Sequence, residues 1–241
     1  MKSRIFILSL TTIALIAIGA IFWYRLERRH HIEIDSQLYP ISGIDVSAHN
    51  GDIDFIKIAQ SGIDFVFIKA TEGATFKDVR FHSNYNNARE AGLKVGAYHF
   101  FKFNTDGNLQ ALNILHCLKE KSLDLPFVID IEEYTNDKNT PTEDVILQLS
   151  ALINTLQDYN LPIMLYSNKK GFTRFIKGRF DEYPLWICSF TNPPIDGEWL
   201  FWQYSHKGSV EGISGDTDLN TFNGSREDWE HWIGSILSIS Q

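Results

Sequence analysis

Paired carboxyl groups stand directly behind an apolar stretch near the middle of the chain. The apolar segment 127–129 leads into Asp130 and Glu132, with Glu133 beside them. An unpaired charge costs several kcal/mol to bury, so acids that end a buried strand face a loop opening or do chemistry. On a strand, Asp130 and Glu132 point to one side, about 6.6 Å apart, while Glu133 points away. Two acids that close raise one pKa, which is how a general acid is made.

Three further carboxylates sit near the ends of other short apolar runs. Asp45 lies in GIDVS, Glu72 in KATEG and Asp218 in GDTDLN. In a β/α barrel the functional side chains come from the carboxyl ends of several strands, so these acids are predicted to share one rim with the Asp130 pair. Hydrolysis of a glycosidic bond needs such a set, with one acid to protonate the leaving oxygen and a second negative group at the sugar.

Aromatic residues on predicted strands are candidates for sugar contacts, because a ring offers a flat apolar face and a polar handle. The candidates are Tyr98 in GAYHF, Tyr166 in LYSN, Trp186 in PLWIC and Trp202 in FWQYS. Packing in the core is the alternative for each of them, since strand aromatics are often buried.

Strands and helices alternate along the chain from Ile41, which indicates an α/β fold with a parallel sheet. Many of the strand-like runs are continuously apolar, as expected where both faces are covered. The seven clearest are 43–47, 65–71, 94–101, 127–132, 162–167, 184–190 and 200–205. Helices are predicted between them, including 142–159, a leucine-rich segment 109–121, and a C-terminal helix 225–240 whose large apolar residues form a docking face. Because G-x-G-x-x-G and P-loop motifs are absent from the sequence, a TIM-like barrel is favoured over a nucleotide-binding sheet.

Composition excludes several classes of function. The formal net charge is −8, from 22 Lys and Arg against 30 Asp and Glu, which argues against nucleic acid as a partner. The two cysteines, Cys117 and Cys188, are too few for a disulfide-rich scaffold or a four-cysteine zinc site, and are either paired or buried thiols. The histidines lack the H-E-x-x-H spacing of a metal site, and His99 is interpreted as a core residue. We therefore predict no metal.

The N-terminus predicts a membrane segment. After a short flank, 1–4, an uncharged run over 5–24 is long enough at about 1.5 Å per residue to cross one bilayer, and ends in aromatic residues. It is predicted to be a transmembrane signal-anchor, with a cleaved signal peptide as the alternative. Residues 25–40 form a predicted tether. The domain 41–241 would then lie outside the cytoplasm, in the periplasm of a Gram-negative cell, or be secreted after cleavage.

Eight motifs occur in order between Ile41 and about Asn223: GIDVSAHNGDIDF, FIKATEG, GAYHFF, FVIDIEE, LYSN, LWICSF, WQYS and TDLN. Together they resemble the glycoside hydrolase family 25 lysozymes, which cut the β-1,4 bond between N-acetylmuramic acid and N-acetylglucosamine in peptidoglycan. The resemblance implies a modified (β/α) barrel with fewer helices than the regular form, and no cofactor.

The resemblance also assigns roles to residues. It implies Glu132 as general acid, Asp130 as its assistant at the 2-acetamido group, and Asp45 with Asp218 as the remaining acidic pair. Asp218 is preferred to Asp216 because the D-L-N context matches. Glu72, Tyr98, Tyr166, Trp186 and Trp202 are the predicted substrate contacts. A monomeric catalytic domain that binds peptidoglycan glycan strands is expected; a noncatalytic binding barrel, or a glycosidase of another N-acetylated polymer such as chitin, is the alternative.

Overall fold

The computed structural model describes residues 18–19, 32, 34–191 and 199–239. The predicted flank 1–4 lies outside these residues, and so does the predicted membrane segment 5–24 apart from 18–19. Within the described ranges, no helix has the length and apolar character needed to cross a bilayer. The last part of the predicted tether is packed against the barrel: the ring centroid of Tyr39 lies 6.0 Å from those of both Trp199 and Trp202. The described end of the tether, 34–40, therefore belongs to the same compact unit as the barrel.

In the described part of the chain, nine strands form a single sheet, and eight of them close into a barrel. The strands are β1 (Ser42–Val46), β2 (Phe65–Glu72), β3 (Phe76–Lys77), β4 (Lys94–Phe100), β5 (Phe127–Asp130), β6 (Ile163–Asn168), β7 (Leu185–Cys188), β8 (Phe201–Gly208) and β9 (Thr217–Phe222). β3 is a short antiparallel addition to the end of β2 and stands outside the barrel.

The barrel is closed by one strand that runs against the others. β1 pairs with β2 in parallel, and parallel pairing continues through β4, β5, β6, β7 and β8. β9 then pairs antiparallel to both β8 and β1. The seven predicted strands are confirmed to within a few residues, but the expectation of a purely parallel sheet is wrong at β9. Its reversed direction brings its first residues to the same rim as the carboxyl ends of the parallel strands.

Helices cover the outside of the barrel and its lower end. They are α1 (Phe55–Gln60), α2 (Phe81–Glu90), α3 (Gly107–Leu118), α4 (Thr142–Asp158), α5 (Lys169–Gly171), which continues into a π-helix (Phe172–Ile176), and α6 (Arg226–Ile239). The predicted C-terminal docking face is confirmed, because Trp229 and Ile233 of α6 are buried in the barrel core. The helix begins where Ser225 and Asp228 cap each other's backbone N–H groups.

The inner face of α3 is mixed. Of the four leucines in the predicted segment 109–121, Leu109 and Leu112 are exposed and Leu118 is buried. Gln110 and Asn113 are also buried, beside apolar residues of the same helix. Asn113 donates to the carbonyl oxygens of Gly73 and Phe76, and Gln110 Oε1 accepts from the chain after β4. These two polar residues face inward because the loop carbonyls and amides beneath them need hydrogen-bond partners.

Large aromatic rings fill the barrel interior. Phe65 and Phe67 pack edge to face with centroids 5.7 Å apart, and the ring of Phe67 stacks at 4.6 Å on Trp186. Glycines make room for them: a Cβ on Gly43 would lie 2.2 Å from the Phe65 ring, and one on Gly96 would lie 2.4 Å from Phe67. Pairing the smallest residue with a bulky neighbour fills the interior at close-packed density and leaves the upper rim for the site.

Candidate active site

The four predicted catalytic carboxyl groups line one cleft of about 790 Å³ at the rim of the barrel. Asp45 is the fourth residue of β1, and Asp130 is the last residue of β5. Glu132 lies two residues beyond β5, so it sits on the following loop rather than on the strand itself. Asp218 is the second residue of β9, and Asp216, the competing candidate, is exposed and absent from the cleft lining.

Asp45 and Asp218 form a coupled acidic pair. They are register partners across the antiparallel junction of β1 and β9. Burial raises the pKa of Asp45, although hydrogen bonds to its carboxyl group from Asn220, Gln203 and Asp218 oppose the rise. Burial and the neighbouring charge of Asp45 also raise the pKa of Asp218. The hydrogen bond between the two carboxyl groups lowers the pKa of Asp45 and raises that of Asp218, so Asp218 is the acid of the pair that holds a proton more readily.

Two hydrogen-bonded chains converge on Oδ2 of Asp45. Gln203 Nε2 and Asn220 Nδ2 each donate to that oxygen at 2.8 Å. Behind them, the Tyr166 hydroxyl donates to Gln203 Oε1 at 2.8 Å, and Trp186 Nε1 donates to Asn220 Oδ1 at 2.9 Å. Both amides are thereby fixed in orientation, which keeps their NH₂ groups aimed at the carboxylate and stabilises its charged form.

Asp130 carries a carboxyl oxygen that has no protein partner. The residue is only 7% exposed, and its Oδ1 is buried without a hydrogen bond among the described residues. Burial holds its pKa well above the usual range, and the negative charges of Glu132 and Asp45 raise it further. A buried polar atom of this kind costs free energy unless a ligand satisfies it. Asp130 is therefore ready to hydrogen-bond with a group bound in the cleft.

Glu132 is held from both its side chain and its backbone. Asn168, the last residue of β6, donates from Nδ2 to Glu132 Oε2 at 3.1 Å. Asn136 donates to the Glu132 carbonyl oxygen at 2.9 Å and also bonds to the chain after β4. Burial raises the pKa of Glu132, the charge of Asp45 raises it further, and the bond from Asn168 lowers it. Glu132 is thus a positioned carboxyl group with a raised pKa, which suits a general acid.

Glu133 points away from the cleft, as predicted from its place in the sequence. It is buried against Lys170 and Arg174, and Arg174 Nη1 lies 2.7 Å from Glu133 Oε1. These partners, with Lys170 contributing most, lower the pKa of Glu133. Arg174 also donates to the carbonyl oxygen of Thr140, so this ion pair fastens the loop that carries Glu132. The two adjacent glutamates have opposite surroundings and opposite pKa shifts.

The barrel and its acidic rim have counterparts among known proteins. The family model for glycosyl hydrolases family 25 matches residues 44–213. This chain belongs to that family. The matched range includes Asp45, Asp130 and Glu132 and ends before Asp218, which the barrel closure brings beside them.

Individual relatives agree with the family 25 assignment. The solved structure of a family 25 glycosyl hydrolase from Bacillus anthracis superposes with a TM-score of 0.76 at 34% identity, covering 84% of this chain and 96% of that one. YegX of Escherichia coli K12 is 33% identical over 223 residues, which is 89% of this chain and 81% of YegX. Lysozyme M1 of Streptomyces globisporus is 35% identical over 207 residues, 77% of this chain and 68% of that protein. The chain is a glycoside hydrolase of the lysozyme, or muramidase, type.

Four of the five predicted substrate contacts line this family 25 cleft, and the fifth, Trp202, does not. Glu72, Tyr98, Tyr166 and Trp186 all line it. Trp186 is only 2% exposed and Tyr166 is buried, so they form the floor and support Asp45 through the two amides. Tyr98 is half-buried in the cleft wall. Glu72 is paired with Lys69, whose Nζ lies 2.7 Å from its Oε2.

Trp202 does not line the cleft, so its position does not agree with the predicted substrate contact. Its side chain is 1% exposed, and its indole N–H donates to the Ser189 carbonyl oxygen at 2.8 Å. Side chains alternate along a strand, so Phe201 and Gln203 of β8 point into the barrel while Trp202 points outward. The sequence motif was right, but the site residue in it is Gln203.

Three amide residues of the site belong to sequence motifs in which a neighbouring residue was the predicted site residue. Gln203 lies in WQYS, Asn220 in TDLN and Asn168 in LYSN. Their signal was their place in those motifs, because carboxylates on a barrel rim need amide donors to orient them. Lys69 and Lys102 also line the cleft. The local sequence does not predict them, because nothing in it shows that a lysine of β2 meets one from the loop after β4.

The positions of His99 and of the two cysteines in the core decide what was left open about them in the sequence. His99 is fully buried, with its ring nitrogens 2.8 Å from Thr71 Oγ1 and 3.1 Å from Gln110 Oε1, and burial lowers its pKa to about 4. It is a neutral core histidine, as predicted. Cys117 and Cys188 are unpaired buried thiols.

Proposed function

We propose that this family 25 enzyme hydrolyses the β-1,4 bond between N-acetylmuramic acid and N-acetylglucosamine in peptidoglycan, with Glu132 as the general acid. The observation that carries the proposal is the contrast within one cleft. Asn168 positions the Glu132 carboxyl group, whose pKa is raised by burial, while two amide groups donate to the Asp45 carboxyl group in the same cleft and favour its charged form. Glycoside hydrolysis requires one acid of each kind.

The reaction begins when Glu132 gives its proton to the glycosidic oxygen as the bond to the anomeric carbon breaks. Positive charge develops on the sugar ring, and the charge held by Asp45 and Asp218 stabilises it. Asp130 offers its unpartnered Oδ1 to the 2-acetamido group, orienting the acetamido oxygen towards the anomeric carbon. Water then attacks that carbon and returns a proton to Glu132, which restores the starting state.

The names of relatives support this substrate. Lysozyme M1 of Streptomyces globisporus and the autolytic lysozyme of Clostridium acetobutylicum are 35% and 33% identical to this chain in the matched regions. The apolar ring edges and polar groups of the cleft wall suit a sugar chain, because sugars present both kinds of surface.

We also propose that residues 5–24 anchor the enzyme in the membrane with the barrel outside the cytoplasm. The support is the length and uncharged character of that run in the sequence. Cell fractionation combined with the intact mass of the mature protein tests this proposal. Recovery in the membrane fraction at full mass is expected, whereas a soluble product shortened by about the first 20 residues would show signal-peptide cleavage.

The activity test compares the full-length protein with its Glu132→Gln variant on purified peptidoglycan. The wild type should release products with reducing N-acetylmuramic acid ends, and the variant should be slower by a factor on the order of 10²–10⁴. Glu211→Gln is the matched control, since it makes the same substitution at an exposed glutamate outside the cleft lining and should leave the rate unchanged. Binding without hydrolysis by the wild type would identify a noncatalytic barrel, and cleavage of chitin in preference to peptidoglycan would identify another glycosidase.

A further inference from the structure

Two lysines meet at one end of the cleft, around a single carboxylate. Lys69 Nζ lies 2.7 Å from Glu72 Oε2, and Lys102 Nζ lies 3.8 Å from Glu72 Oε1. Both ammonium groups also stand 5.5 Å from the centroid of the Phe100 ring. The lysines come from β2 and from the loop after β4, so the barrel brings them together.

The positive charge here exceeds the negative charge that the protein supplies. The side chains of Lys69 and Lys102 are only 13% and 28% exposed, and Glu72 is the acid that both contact. Asp130, another acid in the cleft lining, forms no ion pair with either lysine in the described part of the chain, and burial raises its pKa. Partly buried charges without a counter-ion are costly, so the surplus cation calls for an anion from outside the protein.

The lysines keep donors available for such an anion. In the described part of the chain, the hydrogen bond of Lys69 Nζ goes to Glu72, which uses one of its three N–H groups. Lys102 is held in place by its backbone, because its N–H donates to Gln110 Oε1 at 2.9 Å and its carbonyl accepts from Gln110 Nε2 at 3.0 Å. Its Nζ donates to the Thr135 carbonyl oxygen at 3.2 Å and to Thr135 Oγ1 at 3.4 Å, across the rim of the cleft, which leaves one of its three N–H groups.

We propose that Lys69 and Lys102 form a subsite for a carboxylate of the substrate, at the Glu72 end of the cleft. The inference rests on the proposed muramidase function, because N-acetylmuramic acid differs from N-acetylglucosamine by a lactyl group that ends in a carboxyl. That carboxyl is free in peptide-free strands and is amide-linked in peptide-bearing strands, whose stems carry carboxylates of their own. Either source presents the same chemistry to the lysines, a charge-assisted hydrogen bond.

The test measures equilibrium binding to the full-length protein carrying Glu132→Gln, which slows cleavage of the strands. Three probes are used: peptide-free glycan strands, the same strands with their lactyl carboxyls methyl-esterified, and peptide-bearing strands. Each is titrated against Lys102→Met and against Lys57→Met in the same background. Methionine keeps the length of the apolar stem. Lys57 is exposed and lies outside the cleft lining, so Lys57→Met removes the same charge from the surface without altering the cleft.

We expect Lys102→Met to weaken binding of a carboxylate-bearing probe about tenfold or more, and to change binding of the ester within about twofold. Lys57→Met should leave all three affinities unchanged. A loss with peptide-free strands assigns the anion to the lactyl group, and a loss with peptide-bearing strands alone assigns it to the stem. Equal effects on acid and ester, or no effect on either, would overturn the subsite.

Two further measurements separate this inference from folding and from the proposed function. Lys102→Arg keeps the charge and should retain the preference for acid over ester, and thermal unfolding reports whether each variant is folded. Hydrolysis by the wild-type protein is measured separately. Its absence would refute the muramidase proposal, while the difference in binding between acid and ester would still decide the subsite.

Discussion

Asp218 faces Asp45 across the junction where the antiparallel strand β9 closes the barrel against β1. The two acids come from opposite ends of the domain, and the reversed direction of β9 places them at the same rim. Burial raises the pKa of both acids, and the hydrogen bond between them lowers the pKa of Asp45 and raises that of Asp218. Negative charge in the pair is therefore favoured on Asp45, in the cleft that Glu132 also lines.

Replacing Asp218 by asparagine should change how stability depends on pH. A pKa raised by folding means that the stabilising contribution of this carboxyl is complete below the unfolded pKa of about 3.9 and is lost as pH rises. Folding raises the pKa of Asp218 to about 9, so wild type should lose several kcal/mol of unfolding free energy as the pH rises from about 4 to about 9, and Asp218→Asn should lose less. Denaturant unfolding across this range measures the slope. The exposed neighbour Asp216 gives the control, since Asp216→Asn should keep the wild-type slope.

Asn168→Ala should shift the pH profile of hydrolysis. The hydrogen bond from Asn168 lowers the pKa of Glu132, so its loss raises that pKa. A general acid works in its protonated form, and the alkaline limb of activity should move to higher pH. We also expect kcat to fall about tenfold, because the carboxyl group is less well positioned. A uniform loss of activity with no movement of the limb would contradict the role given to Asn168.

Trp202→Phe should lower stability without weakening substrate binding. The substitution removes buried ring atoms and the indole hydrogen bond to Ser189, at a cost of about 1–3 kcal/mol. Thermal unfolding should show a lower Tm, and KM for peptidoglycan fragments should stay within about twofold. A rise in KM with an unchanged Tm would return Trp202 to the list of substrate contacts.

Hydrolysis of peptidoglycan should depend little on salt. The chain carries a net charge of −8 and its substrate is largely anionic, so long-range attraction does not concentrate the enzyme on it. The lysines at the Glu72 end are partly buried and are screened less than surface charges. Initial rates measured from low to moderate ionic strength test this expectation. A steep fall in the initial rate over that interval would indicate that a local positive surface attracts the substrate despite the negative net charge.

The sequence by itself determined the strand order along the chain and the acids that end the strands. Asp45, Asp130 and Glu132 could be found because apolar runs mark buried strands, and a charge at the end of such a run is unusual. The docking face of α6 could also be predicted from the sequence, since its large apolar residues follow the helical period. These features depend on neighbours in the chain, which a sequence displays directly.

Only the tertiary structure decided the direction of β9, the outward side of Trp202 and the burial of Gln110 and Asn113 on α3. Each depends on which surface lies opposite, and that surface comes from residues far away in the sequence. The meeting of Lys69 with Lys102, and the two amides that converge on Asp45, have the same origin. Local patterns fix which side chains share a face, but the closure of the barrel fixes which faces meet, and the chemistry of the cleft is set by those long-range contacts.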